Sequence, residues 1–135
     1  MGKLIRWLLI AAVAFVALIA IASEFGGEVV TLRTWDSIGV EYNTHVWVVD
    51  DQGSIWVRSG DPNSGWLERL HARPSCELER AGEWRKYVAT PVPGAAERIN
   101  SLMAEKYGWA DAVIGLVMDR SASVPVRLSP GALEP

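Results

Sequence analysis

The sequence predicts an α+β domain, a mainly antiparallel sheet that is closed or half closed, set behind one N-terminal hydrophobic helix. Three observations carry this expectation. Residues 7–22 read WLLIAAVAFVALIAIA, without a charge. Beyond them, β-rich runs recur with turn residues between them. Late in the chain the apolar period lengthens from two to that of an amphipathic helix. The chain therefore divides into an anchor or signal segment, residues 1–27, and one domain, residues 28–135.

The leader comes first. From Leu4 to Ala22, with Arg6 snorkelling toward the interface, a helix would span roughly 28 Å, close to the hydrocarbon thickness of a bilayer. A soluble core helix would show a polar face, and this one has none. Lys3 and Arg6 precede the run while Glu24 and Glu28 follow it. The positive-inside bias then places the N-terminus in the cytoplasm and the domain on the outer side of a cell membrane. Ala20-Ile21-Ala22 is also a small-x-small cleavage pattern, so a signal peptide cut before Ser23 is the competing reading, leaving a secreted or periplasmic domain. Because the run is longer than an ordinary signal core, retention as an anchor is preferred.

Each later element has its own reason. Val29–Trp35 is a β-rich run that ends at the turn signal Asp36-Ser37-Ile38-Gly39. Val40–Asp50 is the strongest strand, and in His45-Val46-Trp47-Val48-Val49 both alternating faces are apolar, so both sides should be covered. Asp51-Gln52-Gly53 turns the chain back into Ser54–Arg58. Asp61–Gly65 is loop and helix-start material, and Trp66, Leu67 and Leu70 give a short helix its apolar stripe before Pro74. Ser75–Arg80 alternates cleanly, Ala81-Gly82 turns, and Trp84–Thr90 follows. Ile99, Leu102, Met103, Lys106 and Tyr107 keep helical spacing. Trp109, Val113, Leu116 and Val117 suggest the stripe of a second short helix. Val124–Leu128 is a last strand in which Pro125 favours an edge or a bulge.

Charge and composition exclude some functions. The 135 residues hold 13 Lys and Arg against 16 Asp and Glu. Beyond Ala22 the basic count falls to 11 against the same 16, a balance of −5. An acidic domain without a basic stripe does not suit a polyanionic backbone, so nucleic acid is not an expected partner. The single cysteine, Cys76, excludes an internal disulfide, and its acidic neighbours argue for a buried small hydrophobe. His45, His71 and Cys76 lack metal-ligand spacing, so no metal is expected.

The constellation Thr44–Asp50, Ile55–Gly60, Ser64–Leu70, Ala72–Pro74, Glu77–Glu79 and Val124–Leu128 resembles the flavin- and deazaflavin-binding split β-barrel proteins, especially their short nitroreductase-like branch. The resemblance covers residues 29 to 130. It implies a split barrel of about six mainly antiparallel strands with short flanking helices, and an FMN or deazaflavin cofactor. The cofactor's phosphate would lie at the loop from Arg58 to Gly65, with Ser59 and Ser64 as donors and Arg58 as the charge. By the same resemblance Thr44 and His45 would face the ring, with Trp47 or Trp66 stacking on it. Homodimers formed by packing sheets together are a further implication. The sequence departs from the family in two places. Asp61 sits inside the phosphate loop, and Ser37-Ile38-Gly39 carries no Lys or Arg where many relatives have a basic turn.

The residues also admit plainer readings. Arg58 at a strand end is commonly paired with an acid, His45 suits a satisfied core position, and six tryptophans beyond the leader can simply fill a small barrel. Trp47 and Trp56 flank a hairpin, where cross-strand aromatic pairing would account for them. Two functions follow: a tethered or exported reductase of a small organic substrate using FMN or a deazaflavin, with no assignable catalytic residue, or a non-catalytic barrel whose groove holds a partner protein or a lipophilic small molecule.

Overall fold

The computed structural model describes residues 2–25 and 27–131. A 24-residue helix, α1 (Gly2–Phe25), leads into β1 (Val29–Trp35), β2 (Glu41–Asp51) and β3 (Ser54–Ser59). Then come α2 (Gly65–Ala72), β4 (Ser75–Arg80), β5 (Glu83–Pro91), α3 (Ala96–Tyr107), α4 (Trp109–Gly115) and β6 (Val124–Pro130). The strands close into a barrel in the order β1-β2-β3-β6-β5-β4, and every pairing is antiparallel.

Alternation explains the closure. Val30 and Leu32, Val46 and Val48, Val57, Cys76 and Leu78, Ala89, and Val126 with Leu128 all point inward and are buried. Trp66, Leu67 and Leu70 on α2 complete this interior. The β2–β3 hairpin turns at Gln52 and Gly53, both with positive φ, a geometry that suits the glycine. That turn sets Val49 opposite Trp56. Both residues lie on the outer wall, where Ile99, Met103 and Tyr107 of α3 cover them with Ala110 of α4. The two apolar faces of His45–Val49 thus face two separate cores. Leu102 flanks this second core, while Ile99 and Met103 are fully buried in it.

Several expectations change in detail. Trp47 and Trp56 do not pair across the hairpin: Trp47 stacks on Tyr107, with ring centroids 4.2 Å apart and planes 5° from parallel. Pro125 neither breaks nor bulges β6, which lies between β3 and β5. Its carbonyl accepts from the Val92 N–H at 2.8 Å, on the side where β5 has just ended. The missing N–H faces the same side, so no ladder bond is lost.

The Gly-Gly exit from α1 is not a free hinge at Gly27, whereas Gly26 lies outside the described residues. A Cβ on Gly27 would lie 2.7 Å from Cδ1 of the Tyr107 ring. The Tyr107 hydroxyl, 2.5 Å from the Glu28 carbonyl, also accepts from the Val48 N–H at 2.9 Å. Burial pushes its pKa up to about 12. Around it Arg80 bridges Glu28 and Asp50, and Lys106 reaches Glu28 at 2.8 Å.

The α4 stripe also differs from expectation. Trp109, Leu116 and Val117 are 54%, 73% and 51% exposed, while the inward residues are Ala110 and Asp111. Val113 and Ile114 also pack against the second core, so the exposed apolar residues are Trp109 at the start of the helix and Leu116 and Val117 in the turn beyond it.

Candidate functional site

A cleft of about 220 Å³ opens where the wall formed by β2 and β3 meets α4. Alternation along β2 brings His45 and Trp47 to it, β3 contributes Arg58, and Trp66 reaches it from the first turn of α2. Ile114 on α4, with Met118 and Arg120 just beyond, forms the opposite side. Four of the seven residues singled out from sequence therefore share one cleft. Thr44, Ser59 and Ser64 do not line it. Thr44 pairs with Leu32 and shares the inward face of Val46.

Arg58 is the pivot. Its side chain is 6% exposed, and its guanidinium donates to Asp111 Oδ1 and to Asn100 Oδ1, each at 3.1 Å. Burial lowers its pKa from the ordinary arginine value, against which the Asp111 carboxylate acts. The guanidinium carbon lies 6.0 Å from the centre of the Trp47 ring, within cation–π reach. Arg120 donates to the same Asp111 oxygen at 2.8 Å and to the Asp111 carbonyl at 2.8 Å. Asn100 fixes the far side by donating to the Arg120 carbonyl. Two guanidiniums thus share one carboxylate, so the cluster keeps one positive charge in excess.

The segment after Arg58 is closed on itself. Ser59 Oγ donates to the Asp61 carbonyl at 2.5 Å and lies 2.7 Å from Ser64 Oγ. Asp61 Oδ1 accepts from the Asn63 N–H, completing a side-chain turn. A Cβ on Gly60 would collide with Met118 Cε, so the methionine lies directly on this segment.

Asp111, Asn100, Met118 and Arg120 escaped the sequence reading. One signal was present: Asp111 is the lone charge in the ten residues from Trp109 to Met118. An acid in such a run needs a partner, and Arg58 supplies it.

A flavin-type cofactor fits this site in part. Two indoles and an imidazole border the cleft, but Trp66 is buried in the barrel interior, Tyr107 takes one face of Trp47, and the cleft is smaller than the roughly 300 Å³ at which ligand pockets usually begin. The hydroxyls expected at the phosphate are bonded to each other, and the expected cation is held by Asp111. The phosphate-bearing end therefore has no prepared seat in the Arg58–Ser64 segment.

No protein-family profile matches the chain, and no curated protein matches it. Solved structures do. A heme storage protein from Vibrio cholerae aligns with a TM-score of 0.60 at 16% identity, over 87% of each chain. An F420 reductase aligns with a TM-score of 0.56 at 13% identity, over 77% of this chain and 86% of that one. A conserved hypothetical protein from Mycobacterium tuberculosis gives 0.57 at 21% identity, over 82% of this chain and 78% of that one. At these identities the likeness is one of fold alone: the domain shares the split-barrel architecture of these structures.

Proposed function

We propose that the chain is a membrane-tethered split-barrel binding module that holds a small flat organic ring in the cleft between Trp47, Trp66 and α4. One observation carries this reading: the cleft presents aromatic walls while Arg58, its most buried cation, is held by Asp111 and Asn100. Aromatic faces with a fixed charge behind them suit a ring system better than a phosphate tail. That a similar fold belongs to a heme storage protein supports the binding of a flat molecule without turnover.

Retention of the leader supports the tether. Residues 2–22 form a helix long and apolar enough to cross a membrane. Ala22 at its end is fully buried in the second core beside Tyr107 and Ala110. Cleavage before Ser23 would remove a residue that the domain packs around.

The second reading is a reductase using FMN or a deazaflavin, with the cofactor supplying the hydride chemistry. The excess positive charge of Arg58, Arg120 and Asp111 favours it, as does the likeness to an F420 reductase.

Titration of the purified full chain by tryptophan quenching separates the two readings. Lumichrome (the bare ring), riboflavin and FMN are the probes. The binding-module reading expects saturable binding of the bare ring and no gain from the phosphate. A charge-assisted hydrogen bond contributes about 1.5–3 kcal/mol, so FMN binding roughly 10- to 150-fold tighter than riboflavin would establish the reductase-type site instead. No saturable binding of any of the three would remove both readings.

A further inference from the structure

Resting on the reading of α1 as a membrane span, we propose that α4 and the turn after it lie in the headgroup region of the same bilayer, with Trp109, Leu116 and Val117 buried in lipid.

Trp109 at the start of α4 and Leu116 and Val117 in the turn just beyond it are 54%, 73% and 51% exposed, while Val113 and Ile114 between them pack against the second core. In an ordinary surface helix a terminal Trp and Leu would fold back onto the core. Here Ala110 is fully buried instead, and Asp111 is pinned inward by Arg58 and Arg120. The ion pair therefore fixes the rotation of α4, which leaves Trp109 and the following Leu116 and Val117 outside the core. Large apolar side chains exposed together mark a surface that something covers.

Continuity with α1 identifies the cover. The two helices pack against each other, and the described residues of α1 become covered by protein only near its end, at Ile19 and Ala22. Leu8, Leu9, Val13 and Val16, further from the domain, are 60% to 69% exposed, as a lipid-facing helix must be. Contact at the last turns of a spanning helix places α4 near the level where hydrocarbon gives way to headgroups. Tryptophan is enriched at that level because one edge of the indole is polar. A short helix and turn with Trp109 and Leu116 outward suit the same boundary. The Met118 end of α4 also borders the cleft, so the cleft would open close to the membrane surface.

The test uses the full chain in phosphatidylcholine vesicles, with one introduced cysteine carrying an environment-sensitive fluorophore. Native Cys76 is buried and its thiol pKa is pushed up to about 12, so it does not compete for label. Leu116→Cys reports on α4, Val13→Cys on the span, and Arg85→Cys on β5, across the barrel from α4. Nitroxide lipids should quench the Leu116 label about twofold or more, most strongly with the nitroxide near the headgroup. The Val13 label should respond most to a deep nitroxide, and the Arg85 label to neither. If Val13 is quenched while Leu116 behaves like Arg85, α4 faces water and the inference falls, although the tether stands. If neither is quenched, the membrane reading falls and takes the inference with it. If the Leu116 label is shielded from lipid and from aqueous iodide alike, a second copy of the chain covers this face, and the inference is again overturned.

Discussion

Asp111 on α4 receives Arg58 from β3 at 3.1 Å in a contact where the two side chains are 11% and 6% exposed. This pair joins the barrel wall to the helix that borders the cleft, and Arg120 closes it from the other side. A buried ion pair is costly to break from one end, because the remaining charge loses its partner without regaining water. Asp111→Ala should therefore cost about 3–5 kcal/mol, read as thermal or urea unfolding of the full chain. Replacing both ends with apolar residues, Arg58→Met with Asp111→Leu, should recover most of that loss. A single variant as stable as the parent would mean that the pair is already solvated.

Gly27 and Tyr107 are coupled by space. The ring that a Cβ on Gly27 would strike is stacked on Trp47 and tied through its hydroxyl, so it has little room to yield. Gly27→Ala should destabilise the domain by about 1–3 kcal/mol, the usual range for overpacking. Gly94→Ala, where nothing lies within 4 Å, is the control and should change stability by less than about 0.5 kcal/mol. Equal effects at the two positions would remove the steric explanation.

Strand periodicity was legible because each strand has one inward face. The bounds of β1 and β4 follow directly from Val29–Trp35 and Ser75–Arg80. The uncharged leader declared its own helix. What a single sequence cannot carry is the side of the fold on which a short helix presents itself. The spacing of Trp109, Val113 and Leu116 is the same whichever way the segment turns; here Val113 packs against the second core while Trp109 and Leu116 stay exposed, with Asp111 held inward by a distant arginine. That Arg58 pairs with an acid was the plainer expectation and is what the structure shows, whereas which acid was hidden, since Asp111 lies 53 residues away. Of the residues expected at the ring, His45, Trp47 and Trp66 line a cleft together and Thr44 does not, whereas Ser59 and Ser64 spend their hydroxyls on each other.

Cys76 should be chemically silent in the folded protein. It is 2% exposed between β1 and β5, and burial pushes its thiol pKa up to about 12. Since the thiolate is the nucleophile, a maleimide or disulfide reagent at pH 8 should react only on the timescale of unfolding. Stoichiometric labelling before any loss of the near-ultraviolet circular dichroism signal would contradict the buried assignment.

The cluster at the exit of α1 makes stability depend on acid. Arg80 donates to Glu28 and to Asp50, and these hydrogen bonds hold both carboxyls below their usual pKa values. Lys106 adds a second donor to Glu28. The sign follows from linkage: a carboxyl depressed in the folded state binds fewer protons there than in the unfolded chain. Its contribution is complete above the unfolded pKa of about 4 and is lost as the pH falls through the lower, folded value. Because these carboxylates are partly exposed, solvent screening keeps each bridge near the roughly 0–1 kcal/mol of surface pairs. Arg80→Met should thus lower stability at pH 7 by about 1 kcal/mol. The gap between variant and parent should close as the pH drops below about 4, since protonated Glu28 and Asp50 no longer reward the arginine. Thermal unfolding of both proteins from pH 7 down to pH 2.5 reads this directly, and a gap that stays constant across the range would show that Arg80 acts through packing of its stem and not through charge.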